Sequence, residues 1–228
     1  MLFCVVNFGK FFGLAFSALL PLINPLGSAL VFLGLVGQAP PEVYRAVARK
    51  IAIDTTLFLI TVELLGTALM RFFGISLPVM EVAGGLVLGA MGWHLLNQEG
   101  PTPQVEGHNA DQTPAASLEA LGQQAFYPFT FPVTAGPGCI VVMITLSAHA
   151  SVKGLLPDVA AHAGIAAAVL LLSLGVYLFY GNAPKVTARV SAQTAHGILR
   201  VIAFVLFCIG VQITWNGAEP LLKAVLRR

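Results

Sequence analysis

Charge is what this chain has least of. Only 10% of its 228 residues are charged, 57% are hydrophobic, and the mean hydropathy is +0.85. A soluble domain carries roughly 25% charged residues, so this chain is read as an integral membrane protein. The net charge of +2 is small, and there is no basic stripe, Gly-rich phosphate loop or ATP-binding signature. Nucleic acid is therefore not an expected partner, and direct use of ATP is not expected. Cysteine is scarce as well: Cys4, Cys139 and Cys208 each fall in apolar sequence without a pairing pattern, which argues against a disulfide frame. His94, His149, His162 and His196 are dispersed without i, i+3 or i, i+4 spacing, so no metal site is expected. Nor is there a nucleophile–histidine–acid set, and the chain is not read as an enzyme. Residues 1–20 lack a small-x-small cleavage site and run straight on into further apolar sequence, unlike a signal peptide.

What the chain does have is six apolar segments, each near the ~20 residues a spanning helix needs. They fall at about 11–37, 51–73, 76–96, 125–149, 157–181 and 196–216. Between the third and fourth lies a stretch rich in proline, glycine and glutamine, with Glu99, Glu106, Asp111 and Glu119. The expected organisation is a first three-span unit at 1–96, a polar acidic linker at 97–124 and a second three-span unit at 125–228, within one membrane domain.

Two of these segments are interrupted. Pro21-Leu22-Ile23-Asn24-Pro25-Leu26-Gly27 breaks the first, and Pro132-Val133-Thr134-Ala135-Gly136-Pro137-Gly138 breaks the fourth, about 111 residues further on. Proline and glycine inside a helix remove a hydrogen bond and weaken the winding. Matching breaks in corresponding halves point to a transporter with its site at the breaks. Three spans per half force the second half to enter from the opposite side. The expected fold is thus an all-α polytopic membrane protein: six transmembrane segments as two inverted three-span repeats, with discontinuous helices 1 and 4. A pair of re-entrant half-spans with their tips at the motifs is an alternative geometry. Glu81 and Arg200 fall at equivalent repeat positions; an ion pair between them, or separate snorkelling to the interfaces, are both open. The basic cluster Arg45, Arg49, Lys50 favours a cytoplasmic placement for its end, with both termini outside.

Asn24-Pro25-Leu26-Gly27, Phe73-Gly74-Ile75-Ser76-Leu77-Pro78, Ala83-Gly84-Gly85 and Phe131-Pro132-Val133-Thr134-Ala135-Gly136-Pro137-Gly138 together resemble the MarC/SnatA family. The resemblance covers nearly the whole chain apart from the 97–124 loop. It implies a small six-span inner-membrane protein, and some members carry neutral amino acids such as glycine and alanine.

An unwound stretch in hydrocarbon leaves backbone groups that protein, water or ligand must satisfy. Half-helix N-termini at Gly27-Ser28 and Gly138-Cys139 suit a carboxylate, and free carbonyls on the other side suit an ammonium group. Glycines admit a small ligand close to the backbone. The expected substrate site is Asn24, Pro25, Gly27, Ser28, Thr134, Gly136, Pro137 and Gly138, with Asn24 as the side chain reading the substrate, since its counterpart is Ala135. The plainer alternative makes both breaks hinges or helix crossing points.

Glu63 lies deep in the second segment, where an acid must be neutral, paired or hydrated. It is the expected ion-coupling residue, or else a protonated carboxyl bonded to a neighbouring helix. His162 is the histidine to probe beside it. No cofactor is expected beyond a coupling ion, H+ or Na+. Expected partners are a small neutral amino acid and the lipid bilayer, with a homo-oligomer left open. The functional expectation is a gradient-driven secondary transporter of small neutral amino acids across the inner membrane. The alternative is a regulatory or scaffolding membrane protein without transport.

Overall fold

The computed structural model of the chain describes residues 2–37, 39–97, 118–150, 155–189 and 192–226. Most of the expected 97–124 linker lies outside the described residues, as do Lys153, Arg227 and Arg228. Everything described is helix or short turn. The helices are α1 (Leu2–Ile23), α2 (Pro25–Val36), α3 (Pro41–Phe72), α4 (Leu77–Asn97) and α5 (Leu118–Gln123). A π-type segment, π1 (Ala125–Thr134), follows, then α6 (Pro137–Ala150), α7 (Leu155–Gly181), α8 (Ala183–Arg189) and α9 (Ala192–Leu226).

Proline and glycine place the boundaries. Pro25, Pro41 and Pro137 each stand at a helix start, where the missing N–H has no helical partner to lose. Gly37 (φ 67°) ends α2, and Gly74 (φ 68°) follows α3 with its N–H on Arg71 O at 3.2 Å. Both occupy the left-handed region that a Cβ disfavours. Several spans exceed the lengths expected from hydropathy. α1 starts at Leu2, since one lysine does not stop a helix: Lys10 keeps an exposed position with its ammonium 5.5 Å from the Phe11 ring centroid. Arg45, Arg49 and Lys50 likewise lie inside the first turns of α3, not in a connector.

Close contacts fix the direction of each span. Along α3 and α7, Gly181 faces Arg45 and Ala48 while His162 meets Glu63, so the two run antiparallel. α1 lies alongside α7, with Gly164 against the backbone of Phe8 and Phe12 and Gly175 near Pro25. α4 and α9 form an antiparallel seam in which Gly85 faces Thr214 and Gly92 faces Phe207. The start of α1, the end of α3, the start of α4, the start of α7 and the end of α9 therefore share one end of the bundle. The end of α2, the start of α3, the end of α4 and the end of α7 share the other. Among the described residues, with π1 and α6 counted as one bent run, the second three long runs are directed in the opposite sense to the first three.

Five described helical runs are long and apolar enough to span a bilayer, and π1 with α6 forms a sixth, bent by 71°. Leucines and phenylalanines on the outer faces, such as Leu57, Leu64, Leu170 and Phe204, are more than half exposed, as lipid contact demands. The core where α1, α2, α3, π1, α6 and α7 meet holds Phe32, Tyr44, Phe129 and Tyr180.

Glu81 and Arg200 are not paired. Glu81 sits beside Gly217 near the terminal end of the bundle, whereas Arg200 precedes the part of α9 that meets Gly92 near the opposite end. Antiparallel packing of α4 on α9 separates them. Glu81 instead faces His149 of α6, with Oε1 3.9 Å from Nε2.

Candidate functional site

The first break is a single residue wide. Asn24 adopts φ 41°, ψ 68°, a left-handed conformation that asparagine tolerates better than most side chains. Its Oδ1 accepts from Gly27 N–H at 3.1 Å, and its carbonyl accepts from Ser28 N–H at 2.9 Å. The Ser28 hydroxyl lies 3.0 Å from Ile23 O and 2.8 Å from Asn24 O. The polar groups around the break are thus largely satisfied by the break itself. The span keeps its course: Phe3–Val36 runs through Asn24 as one crossing. The sequence treats the two breaks as a matched pair, yet only the second bends sharply.

The second break is longer and built differently. Tyr127-Pro128-Phe129-Thr130 and Phe131-Pro132-Val133-Thr134 are tandem copies of one four-residue pattern. Tyr127 (φ −123°, ψ 124°) and Phe131 (φ −119°, ψ 125°) are extended, as residues before proline prefer to be. Each threonine then bonds back across the loosened turn, Thr130 Oγ1 to Ala125 O at 2.9 Å and Thr134 Oγ1 to Phe129 O at 2.7 Å. Gly136 caps α6 through its carbonyl, which accepts from Cys139 N–H at 2.9 Å, and it has no side chain to close the helix end. The end of α6 is consequently the less self-contained of the two half-helix N-termini.

Tyr180 of α7 joins the breaks. Its hydroxyl is 2.8 Å from Thr134 Oγ1, lies near the Ser28 hydroxyl, and is wholly buried. The Ser28 and Thr134 hydroxyls also reach carbonyls of their own segments. Between Tyr180 and Thr134 either hydroxyl can donate. The ring is held by Phe32 of α2, stacked at 4.6 Å and 17°, and Phe32 in turn meets Phe129 of π1 edge-on at 5.4 Å. Sequence reading missed Tyr180 because a tyrosine near the end of an apolar span looks like an interfacial anchor. It also missed Pro128, although the tandem pattern was there to find.

Of the expected site residues, Ser28 and Thr134 come together on Tyr180. Asn24 uses its side-chain oxygen as a cap, leaving its Nδ2 without a hydrogen-bond partner among the described residues. Pro25 faces Gly175, where an added Cβ would stand 3.8 Å from its Cγ. Gly27 is packed between Asn24 and Leu199, and a Cβ at Gly138 would stand 2.4 Å from Leu88 and 2.8 Å from Leu22. Gly136 and Pro137 form the bend itself. In this conformation the breaks are packed closed. A described cavity of about 460 Å³ lies elsewhere, an apolar groove beside the α4–α9 seam edged by Trp93 and Trp215.

Glu63 stands apart from the breaks, in the C-terminal third of α3, and is 3% exposed. Its Oε1 is in direct hydrogen-bond contact with His162 Nδ1, and its backbone carbonyl accepts from Ser147 Oγ of α6 at 2.7 Å.

Five apolar helical runs and a bent sixth, with a buried Tyr180–Thr134 hydroxyl contact beside the breaks, define a polytopic helical membrane protein. The chain belongs to the MarC family: the family described as "MarC family integral membrane protein" matches residues 9–222. It is 29% identical over 220 residues to the inner membrane protein MarC of Salmonella typhimurium, covering 94% of this chain and 96% of that one. The MarC protein of Citrobacter koseri is 28% identical with the same coverage. A membrane protein of the same UPF0056 group from Pyrococcus abyssi is 25% identical over 210 residues, 92% of this chain and 95% of its own. No solved structure matches the chain.

Proposed function

We propose that the protein is a secondary transporter of small neutral amino acids, glycine- or alanine-like, in the inner membrane, driven by an ion gradient. One observation carries this reading: two breaks far apart in sequence, on oppositely directed spans, meet at the buried Tyr180 hydroxyl, which bonds Thr134 of one and lies near Ser28 of the other. A zwitterion needs a donor-rich end and an acceptor-rich end a few ångströms apart, and two broken helices in opposed directions supply both. The glycines at 27, 136 and 138 restrict the site to a small ligand. The close packing at Gly27 and Gly138 is consistent with a closed state in an alternating-access cycle. Glu63 is the proposed coupling residue, with H+ as the ion; the carbonyls around the breaks make Na+ the competing choice. Both termini are placed outside, with the Arg45–Lys50 end in the cytoplasm.

The test is uptake of labelled alanine and glycine into vesicles reconstituted with the full chain, under imposed H+ or Na+ gradients. Saturable, gradient-driven flux is expected. Ser28→Ala and Thr134→Ala should each raise the half-saturating concentration about tenfold, the effect of one lost hydrogen bond of ~1.4 kcal/mol. Unchanged saturation in both variants removes the site from the breaks. The second reading, a regulatory or scaffolding membrane protein, is favoured by the closed packing around Gly27 and Gly138. Absence of flux from well-folded protein under every gradient selects it.

A further inference from the structure

Glu63, His162 and Asp158 form a line. His162 Nδ1 contacts Glu63 Oε1 on one side, and its Nε2 lies 3.8 Å from Asp158 Oδ1 on the other. Exposure grades along the line: the Glu63 side chain is 3% exposed, His162 27% and Asp158 35%. Asp158 belongs to the first turn of α7, at the end of the bundle where both termini lie. We propose that this line is a proton relay, opening at the terminal end and delivering to Glu63; it deepens the transport reading and rests on it only for its purpose.

The chemistry fits a proton better than a metal. The two carboxylates meet different nitrogens of one ring, so the groups are strung out and do not converge, and among the described residues no set of three or more such ligands could hold a metal ion. An imidazole is the side chain that can take a proton on one nitrogen while releasing another from the second. A proton from bulk water first binds the Asp158 carboxylate and passes to His162 Nε2, giving the imidazolium. The proton on Nδ1 then moves to Glu63 Oε1. The ring is left neutral with its proton on Nε2, Asp158 is again a carboxylate, and Glu63 has gained one proton. Reorientation of the ring, or return of the proton, resets the line. At 3.8 Å the outer step is too long for a direct hydrogen bond, so it needs a small rotation of Asp158 or a bridging water.

The other described titratable groups toward this end have positions of their own. On α6, His149 faces Glu81 of α4 at 3.9 Å. On α1, Lys10 is exposed over Phe11, and on α3 itself Arg71 is exposed two turns further on. Lys153 lies outside the described residues. Glu63 also touches α6 through its backbone: its carbonyl accepts from Ser147 Oγ at 2.7 Å, and α6 carries Ser147 toward one end and the second break at the other. The relay therefore ends where α3 meets the helix whose N-terminus forms half of the proposed substrate site.

The experiment is infrared difference spectroscopy after a pH jump, on the full chain in lipid nanodiscs without any amino acid. The wild type should show a buried carboxyl gaining its proton, and Glu63→Gln should delete that band. His162→Gln should retain the band but slow its appearance roughly a hundredfold, the worth of a positioned proton carrier. Added imidazole should restore most of that rate, which a merely structural role for His162 would not permit. Asp158→Asn should slow the band roughly tenfold. A band that survives Glu63→Gln, an unchanged rate in His162→Gln, or slowing without imidazole rescue overturns the relay. Should His162→Gln fail to fold, nitrogen NMR of histidine-labelled wild type decides: the ring of His162 must respond to the same titration as the carboxyl band, and a ring that does not respond overturns it. The transport reading fails separately, on the absence of saturable uptake in vesicles, whatever these spectra show.

Discussion

Tyr180 carries one hydroxyl between two broken spans, and its ring and its oxygen have separable duties. The ring fills the core against Phe32; the oxygen bonds Thr134 and lies near Ser28. Tyr180→Phe keeps the first and deletes the second. We expect stability to fall by about 1–2 kcal/mol, read as a modest drop in melting temperature, while amino acid flux falls at least about tenfold. Equal flux in variant and wild type would leave Tyr180 as a packing residue. Asn24 poses a similar question, since it is both a cap and the side chain expected to read the substrate. Asn24→Gly keeps the left-handed backbone easy and costs the cap alone, whereas Asn24→Ala also forces φ 41° on a Cβ. Ala should therefore melt lower than Gly, by about 1 kcal/mol. If substrate affinity falls equally in both, the lost amide is responsible; if it tracks melting, the backbone is.

At the level of elements, two devices stand out. In π1 the tandem prolines loosen the winding and the tandem threonines repair it, so a sharply bent crossing survives without a ligand. The α4–α9 seam works by close approach. A Cβ at Gly210 would lie 2.3 Å from Gly89 N, backbone against backbone, which no side-chain rotation relieves. Gly210→Val should destabilise by at least about 1–3 kcal/mol and lower the melting temperature. Gly34→Ala has nothing within 4 Å of the added methyl and should be neutral or slightly stabilising. The seam also backs the breaks, since Leu88 of α4 packs on Gly138 and Leu199 of α9 on Gly27, so loosening it should disturb the site as well as the scaffold.

For the whole molecule, six alternating crossings put both termini at one end. A membrane-impermeant thiol reagent applied to intact cells should label Ser76→Cys and Leu226→Cys alike. Pro40→Cys and Pro184→Cys, at the opposite end, should be protected until the membrane is permeabilised. These variants are made in a background with Cys4, Cys139 and Cys208 replaced. The reverse pattern would keep the fold and invert the proposed orientation, turning the mouth of the Asp158–His162–Glu63 line toward the cytoplasm. Labelling of Ser76→Cys and Pro40→Cys from the same side would contradict the crossing order.

Much of this was legible in the chain because it depends on local chemistry. Apolar length dictates spans, proline without an N–H dictates where they break, and Gly74 with Pro78 marks the turn between α3 and α4. Span ends were less legible: a single charge such as Lys10, or the cluster Arg45–Lys50, reads as a boundary in hydropathy but rides on a helix that extends beyond the apolar run. The sequence by itself determined an all-helical membrane protein with two broken crossings. Tertiary structure alone decided that the breaks differ in bend, that Tyr180 binds them together, and that Glu63 faces His162. Those pairings join residues 46 and 99 positions apart. Periodicity and propensity act over a few turns of one helix, while which face of α7 meets α3 and the breaks is set by packing of glycines and bulky side chains across the whole bundle.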